Sequence, residues 1–281
     1  MYTMTTIAYL GPPGTYSEIA ALSYGGAAAS YLPLSGMPGV VTAVETTAAD
    51  VGILPIENVL EGSVTTTLDL LIHETDLRIV GETVVPIQHL LVARPGVALR
   101  DVTVLYAHPQ SLGQCRRFVE RVLPQVATVA SLSNSAAPAE ALADERQAAA
   151  IATSRAAELT GATILARDIQ DRSDNVTRFI VLGRRDAAPT GDDKTSFCFD
   201  FAHDRAGSLV SVLNEIARAD INMTKLESRP AKESLGKYVF LVDINGHRLD
   251  PHVAAAFERI GPKTGMFKIF GSYPVWHRGT L

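Results

Sequence analysis

The chain has 281 residues, 47% of them hydrophobic and 20% charged, and a formal net charge of −5. That length outgrows one small core and asks for two or three compact units. The acidic balance, with no strong Lys/Arg cluster, speaks against a nucleic-acid partner, which needs a basic face. No apolar run is long enough to span a bilayer, and the stretch from Met1 to Thr6 lacks the basic and apolar regions of a secretion signal. Cys115 and Cys198 lie far apart and predict no disulfide framework, so a reducing cytoplasm is the expected location.

In chain order, short β-like runs alternate with helical stretches, the α/β signature. Ile7 to Leu10 predicts a strand, broken by Gly11-Pro12-Pro13-Gly14, with a helix from about Ser17. Val51 to Ile56 predicts the next strand and Ser63 to Leu71 a helix. Residues 77–94 suit no helix and read as extended. Val102 to Ala107 and Val126 to Leu132 predict strands, followed by helices over Ser111 to Val122 and Ser135 to Asp144. Ala148 to Ala152, Ile164 to Ala166 and Arg178 to Leu182 complete the strand set. A chain that leaves one α/β lobe through crossovers near 77–94 and returns near 160–168 makes two lobes around a cleft. Such folds close on ligands by hinge motion.

The polar run Arg184 to Asp193 contains Pro189 and Gly191 and ends this first region, taken as 5–185, with a linker at 186–194. From 195 to 274 the rhythm changes. Strands are predicted over Thr195 to Phe201, Ile221 to Glu227, Tyr238 to Asp243 and Gly265 to Phe270, with helices over Ser208 to Ala219 and Pro251 to Ile260. That order is βαββαβ, the ferredoxin-like arrangement.

One junction recurs in the first region: strand, small hydroxyl residues, helix. It appears at Gly14-Thr15-Tyr16-Ser17, Glu61-Gly62-Ser63-Val64-Thr65, Gln110-Ser111 and Ser133-Asn134-Ser135. A single Ser or Thr there is first of all a helix cap. Several at the carboxyl ends of strands would aim hydroxyls and N–H groups into one crevice, which predicts an acidic small-molecule ligand. No P-loop lysine accompanies them, which disfavours a nucleotide. In Asp174-Asn175-Val176-Thr177-Arg178-Phe179, polar residues lead into an apolar strand. An arginine there either grips a carboxylate with its two-pronged guanidinium or stays solvated. Glu57, at the end of the Val51 strand, is a catalytic carboxyl, a cap or a structural ion-pair partner. His108 is a polar loop residue or a catalyst, the former the commoner case, and Cys115 a small hydrophobe or a reactive thiol. No cofactor motif and no metal-ligand spacing is seen.

These segments resemble the prephenate dehydratase family. The resemblance is carried by Tyr9 to Pro12 with Gly14 to Glu18, by Gly52 to Asn58 with Glu61 to Val64, and by His108-Pro109-Gln110 with Gln114-Cys115. Asn175 to Phe179 resembles the family's catalytic threonine motif. Gly207-Ser208-Leu209-Val210 and Glu227-Ser228-Arg229-Pro230 resemble the two phenylalanine-site motifs of its C-terminal ACT domain, and Gly271 to Pro274 its end. The likeness runs nearly the whole chain and is to the monofunctional form, with no chorismate mutase segment expected. Asn134 and Ser208 stand where the family more often has Thr and Ala; Val59 and Leu60 depart as well.

The resemblance implies a bilobed catalytic fold of the periplasmic-binding-protein kind plus the ACT domain. It also implies decarboxylating dehydration of prephenate to phenylpyruvate, without a cofactor, inhibited by phenylalanine. Thr177 is then the catalytic hydroxyl, with Arg178 and Glu57 beside it. Thr15, Ser17, Asn58, Ser63, Asn134, Ser135 and Phe179 are the expected substrate contacts. Gly207, Ser208, Leu209, Val210, Glu227, Ser228, Arg229 and Pro230 are the expected phenylalanine site. A homo-oligomer, dimer or tetramer, is expected through paired ACT domains, and the aminated substrate arogenate is the alternative within the same chemistry. A bilobed binding module without catalysis is the alternative outside it, and it would not need the Thr177 motif.

Overall fold

The computed structural model of the chain describes residues 5–203, 205–231 and 236–277. The first lobe opens with strand β1 (Thr6–Leu10) and helix α1 (Tyr16–Gly25). Thr15 starts α1 as its N-cap, accepting from the Glu18 N–H at 3.3 Å. Strand β2 (Ser30–Leu34) and helix α2 (Met37–Glu45) follow, neither of them anticipated from the sequence. Pro33 lies in β2, which is tolerable because β2 is a sheet edge. Pro38 sits in the first turn of α2, and burial of Val40, Val41 and Val44 outweighs a poor helical propensity. Next come β3 (Val51–Asn58), the two-residue β4 (Gly62–Ser63) and α3 (Thr65–Asp69), which widens over Leu70–Glu74 into a π turn. The long β5 (Arg78–Pro86) ends the outward path.

The second lobe is built from β6 (Leu90–Ala93), β7 (Val104–Ala107), α4 (Pro109–Gln114), α5 (Arg116–Val122), β8 (Ala127–Ala130) and α6 (Ala137–Ala143). It closes with β9 (Ala148–Ala152), α7 (Ser154–Thr160) and β10 (Thr163–Ala166). The single helix expected after β7 is interrupted at Cys115, whose ψ of 16° leaves the helical range. β9, almost entirely alanine, is buried throughout. Its small side chains let Ala137, Ala141, Ala156 and Ala157 of α6 and α7 pack closely on one face, while Ala149 and Ile151 meet Leu91, Leu105 and Cys115 on the other. Packing density, not propensity, makes this alanine run a strand.

β11 (Val176–Gly183) carries the chain back into the first lobe, wedged antiparallel between β3 and β5. The first sheet is ordered β2-β1-β3-β11-β5, with β4 on β3, and the second β10-β6-β9-β7-β8. The lobes join where β5 gives way to β6 and where β10 leads to β11. They also touch at the loop before α1, where Thr153 donates to the Gly14 carbonyl at 2.6 Å and Arg155 pairs with Glu18 at 3.1 Å. A Cβ on Gly14 would lie 3.0 Å from that of Ser135, so only glycine lets the lobes approach this closely.

The last unit holds β12 (Asp193–Phe199), α8 (Ser208–Arg218), β13 (Met223–Pro230), β14 (Tyr238–Asn245), α9 (Pro251–Ile260) and β15 (Phe267–Pro274). The order is βαββαβ as expected, with the sheet arranged β13-β14-β12-β15. One sheet face buries Phe197, Phe199 and Ile244 under α8 and α9. The opposite face, with Cys198, Leu241, Phe270 and Tyr273, shares a core with Ile79, Ile180 and Leu182 of the first lobe. The third unit therefore completes the first lobe's core.

Candidate active site

A cavity of about 230 Å³ opens between the lobes. Asn58, at the end of β3, and Thr177, near the start of β11, meet on its floor because the two strands pair in register there. The Asn58 amide nitrogen donates to Thr177 Oγ1 at 2.9 Å, to Asn175 Oδ1 at 2.8 Å and to the Val176 carbonyl at 3.1 Å. Its oxygen accepts from the Leu60 and Glu61 N–H groups at 2.9 and 3.0 Å. Asn58 is thus held at both ends. Thr177 is 8% exposed and accepts from Asn58, so its own proton is left to donate into the cavity.

The second lobe supplies the facing wall. Ser111 donates to Asn134 Oδ1 at 2.6 Å, which leaves the Asn134 amide nitrogen to act as a donor. Gln114 Nε2 lies 3.4 Å from Glu61 Oε1. A carboxylate only accepts, so this contact sets the orientation of the Gln114 amide and turns its oxygen to His89 Nε2, 3.0 Å away. His89 therefore carries its proton on Nε2. It is 1% exposed, and burial pulls its pKa below the ordinary 6.5, with the Gln114 bond partly opposing. Tyr16 stands edge-on to the His89 ring and donates to the Gln88 carbonyl at 2.6 Å; burial raises its phenol pKa, so it stays protonated. Gln110 completes this wall. Among the described residues, the lining is mainly amides and hydroxyls, with Glu61 its only carboxylate and no Lys or Arg.

Of the residues read from the sequence, Asn58, Ser63, Asn134 and Thr177 line the cavity. Six others do not. Thr15 caps α1, and its hydroxyl donates to the Leu10 carbonyl at 3.2 Å. Ser17 is buried inside α1, and Ser135 bonds Ser133 at 2.8 Å beside the Gly14 loop. Phe179 is 1% exposed in the core under α1, with Tyr9 and Ile53.

Glu57 and Arg178 face the joint with the third unit. Arg178 bonds Glu82 and Asp243 at 2.7 Å each and the Tyr273 hydroxyl at 2.7 Å. Its fork is spent on the protein, so it is not placed to clamp a substrate carboxylate. Burial disfavours its charge, but Tyr273, Asp243 and Glu82 more than offset this and raise its pKa. Glu57 pairs with Lys225 at 3.1 Å. Tyr16, Glu61, Gln110, Ser111 and Gln114 lay within the motifs quoted above but were not singled out. His89 had only a weak signal, a lone imidazole in an apolar extended run.

His108 caps α4, accepting from the Gln110 N–H, and Cys115 is fully buried with its thiol pushed up to about 12. In the third unit, Gly207 takes φ +87°, a backbone that favours glycine, and caps α8. Ser208, Leu209 and Val210 form the first turn. β12 and β13 both run antiparallel to β14, so this turn and Pro230 lie at one end of the sheet. Along β13, Glu227 and Arg229 turn toward the first lobe while Ser228 and Pro230 are exposed.

A two-lobed α/β cleft with a ferredoxin-like βαββαβ unit packed on one lobe defines the class. The prephenate dehydratase family model matches residues 7–187, and the ACT domain model matches residues 197–262. The chain belongs to the prephenate dehydratase family and carries a C-terminal ACT domain. A bifunctional chorismate mutase/prephenate dehydratase from Aquifex aeolicus is 44% identical, over 95% of this chain and 73% of that one. A prephenate dehydratase from Mycolicibacterium vanbaalenii is 36% identical over 96% of this chain and 91% of that one. The structure of prephenate dehydratase from Arthrobacter aurescens in complex with L-Phe superposes with a TM-score of 0.88 at 37% identity, covering 96% of this chain and 90% of that one. Among the described residues, no helix is long and apolar enough to cross a membrane.

Proposed function

We propose that this chain converts prephenate to phenylpyruvate, carbon dioxide and water, with Thr177 assisting the departure of the ring hydroxyl. The observation that carries the proposal is the Asn58–Thr177 hydrogen bond, which leaves the threonine proton facing the cavity. In the reaction the carbon–carbon bond to the ring carboxylate breaks and its electron pair enters the ring. The carbon–oxygen pair leaves with the hydroxyl, which takes up a proton to become water. Aromatisation drives the process, so the protein's task is to hold the substrate and stabilise the departing oxygen. The Thr177 hydroxyl does the second, and the amides of Asn134, Gln110 and Gln114 do the first. The test is incubation with prephenate at neutral pH, with phenylpyruvate followed by its absorbance in alkali. Enzyme-dependent release supports the reading, and none from folded protein removes it.

Glu61 favours a second reading. A carboxylate on the cavity wall attracts an ammonium, which arogenate carries where prephenate has a keto group, the two substrates sharing both carboxylates. Rates on both substrates side by side, with wild type and Glu61→Gln, decide between them. A preference for arogenate that is lost in Glu61→Gln establishes this reading.

Regulation belongs to the proposal. L-phenylalanine binds the ACT domain at the sheet end marked by Gly207 and Pro230 and lowers activity. The L-Phe complex of the Arthrobacter aurescens relative supports this. β13 is the outer strand of its sheet with Leu226 41% exposed, which supports pairing of ACT domains into a dimer or tetramer; light scattering measures it. We place the protein in the cytoplasm, in keeping with its two buried free thiols.

A further inference from the structure

Strand β13 of the ACT domain is exposed on alternate residues, and three successive inward side chains all end on one segment of the first lobe. Lys225 Nζ lies 3.1 Å from Glu57 and 3.0 Å from Ser63 Oγ. The Ser63 hydroxyl donates to Glu227 Oε2 at 2.5 Å. Arg229 reaches Asp69 at 3.3 Å and the Thr65 carbonyl at 3.4 Å. The segment they hold, from Glu57 through β4 to Asp69, contributes Asn58, Gly62 and Ser63 to the cavity. A regulatory strand is therefore bonded directly to the active-site wall.

We propose that β13 is the element through which the ACT domain sets the shape of the cavity, with Glu227 and Lys225 as coupling residues that grip Ser63 and not as contacts to phenylalanine. The proposal deepens the regulatory reading above and rests on it. The chemistry of the grip suits a switch. Ser63 has one proton, and it is committed to Glu227. Lys225 bridges Glu57 and Glu227, 3.3 Å from the latter, and Glu57 also lies 3.8 Å from Arg178. A shift of β13 that pulls Lys225 and Glu227 off the segment parts Glu57 from Lys225 and frees the Ser63 proton in one movement, so these bonds are made or broken together. The end of the same strand, Pro230, lies at the same end of the sheet as the first turn of α8. A ligand at that end therefore acts on the strand that holds Ser63. Glu227, assigned to the phenylalanine site by resemblance, becomes the transmitting residue.

Two measurements on the full chain separate ligand contact from coupling: direct binding of labelled L-phenylalanine by equilibrium dialysis, and its effect on the apparent affinity for prephenate. In the wild type, phenylalanine is expected to shift prephenate affinity by about 5–150-fold, the usual range of a coupling factor. In Glu227→Gln and in Lys225→Met that factor falls to within about twofold of unity, while the phenylalanine dissociation constant without substrate stays within about threefold of wild type. Ser63→Ala gives the same loss, and adding Glu227→Gln to it changes the factor no further, as expected for residues acting through one contact. Loss of phenylalanine binding in Glu227→Gln makes Glu227 a ligand contact and overturns the proposal. So does a coupling factor that survives both β13 variants, because the signal then travels elsewhere. Absence of phenylalanine binding to the wild type is a different failure, since it removes the regulatory reading itself.

Discussion

The cleft between the lobes and the joint beneath the ACT domain lie on either side of one strand, β11, and they are built from opposite materials. Among the described residues, the cleft is lined by amides, hydroxyls, a neutral buried imidazole and the Glu61 carboxylate. The joint holds Arg178, Glu82, Asp243, Lys194, Glu57 and Lys225 in a continuous ion-pair network, with the Tyr273 and Ser196 hydroxyls filling its gaps. Formal charge is thus concentrated where domains meet. Neutral donors line the proposed active site, as suits an elimination whose driving force is aromatisation of the substrate.

Thr177 offers the sharpest way to break this contrast. If its hydroxyl assists the leaving group, Thr177→Ala lowers kcat by about 10²–10⁴-fold, the usual worth of a positioned proton donor, while KM changes far less. A folded Thr177→Ala enzyme with near-normal kcat places the chemistry elsewhere and reduces the cleft to a binding site.

Arg178 tests the other side. Its partners Glu82 and Asp243 are 3% and 10% exposed at the side chain, so removing the guanidinium takes the buried Asp243 carboxylate's cation away and leaves Glu82 to Lys194. Arg178→Met is expected to lower the free energy of unfolding by about 3–5 kcal/mol, the range for breaking one side of a buried ion pair. Urea denaturation measures it, and an unchanged midpoint means that the network contributes nothing to stability. Neighbours on one strand thus give different signatures: Thr177→Ala is a stable protein that turns over slowly, and Arg178→Met a weakened one.

That adjacency also explains what the sequence could and could not disclose. Asn175 to Phe179 is contiguous, but successive residues of a strand point to opposite faces. Thr177 reaches the cleft and Arg178 the joint, while Phe179 returns to the first face deeper in, where Ala20 and Ala21 of α1 cover it. A motif read as one site is three environments. The lobes and the βαββαβ unit were legible because most strands are apolar runs bounded by turn residues, as at Val51 or Ala148. β2 and α2 were not, because Pro33, Pro38 and Gly39 hide a strand held by its pairing with β1 and a helix held by burial of its valines. In the site, Asn58 and Thr177 were legible at strand ends. His89 was hidden because its importance lies in its partner Gln114, 25 residues away in the chain, and no spacing rule joins a crossover to the end of a helix.

His89 carries the smallest effect, and it probes whether the cleft is as neutral as it looks. Burial holds its imidazole below the ordinary 6.5. Below that pH the unfolded chain takes up a proton here that the folded chain refuses, so the unfolded state binds more protons and stability falls with falling pH. The contribution is intact above 6.5 and is lost as the solution is acidified. One such proton has a limiting slope of about 1.4 kcal/mol per pH unit. His89→Asn removes this contribution along with the hydrogen bonds, so the variant is less stable than wild type near neutrality by an amount that shrinks as the solution is acidified. Urea midpoints of both proteins between about pH 7.5 and about pH 5.5 give the comparison. A gap that stays constant or widens toward acid means that the folded chain does protonate His89. Gln114 would then face an imidazolium, and the neutral wall inferred for the cleft would carry a positive charge available to a substrate carboxylate.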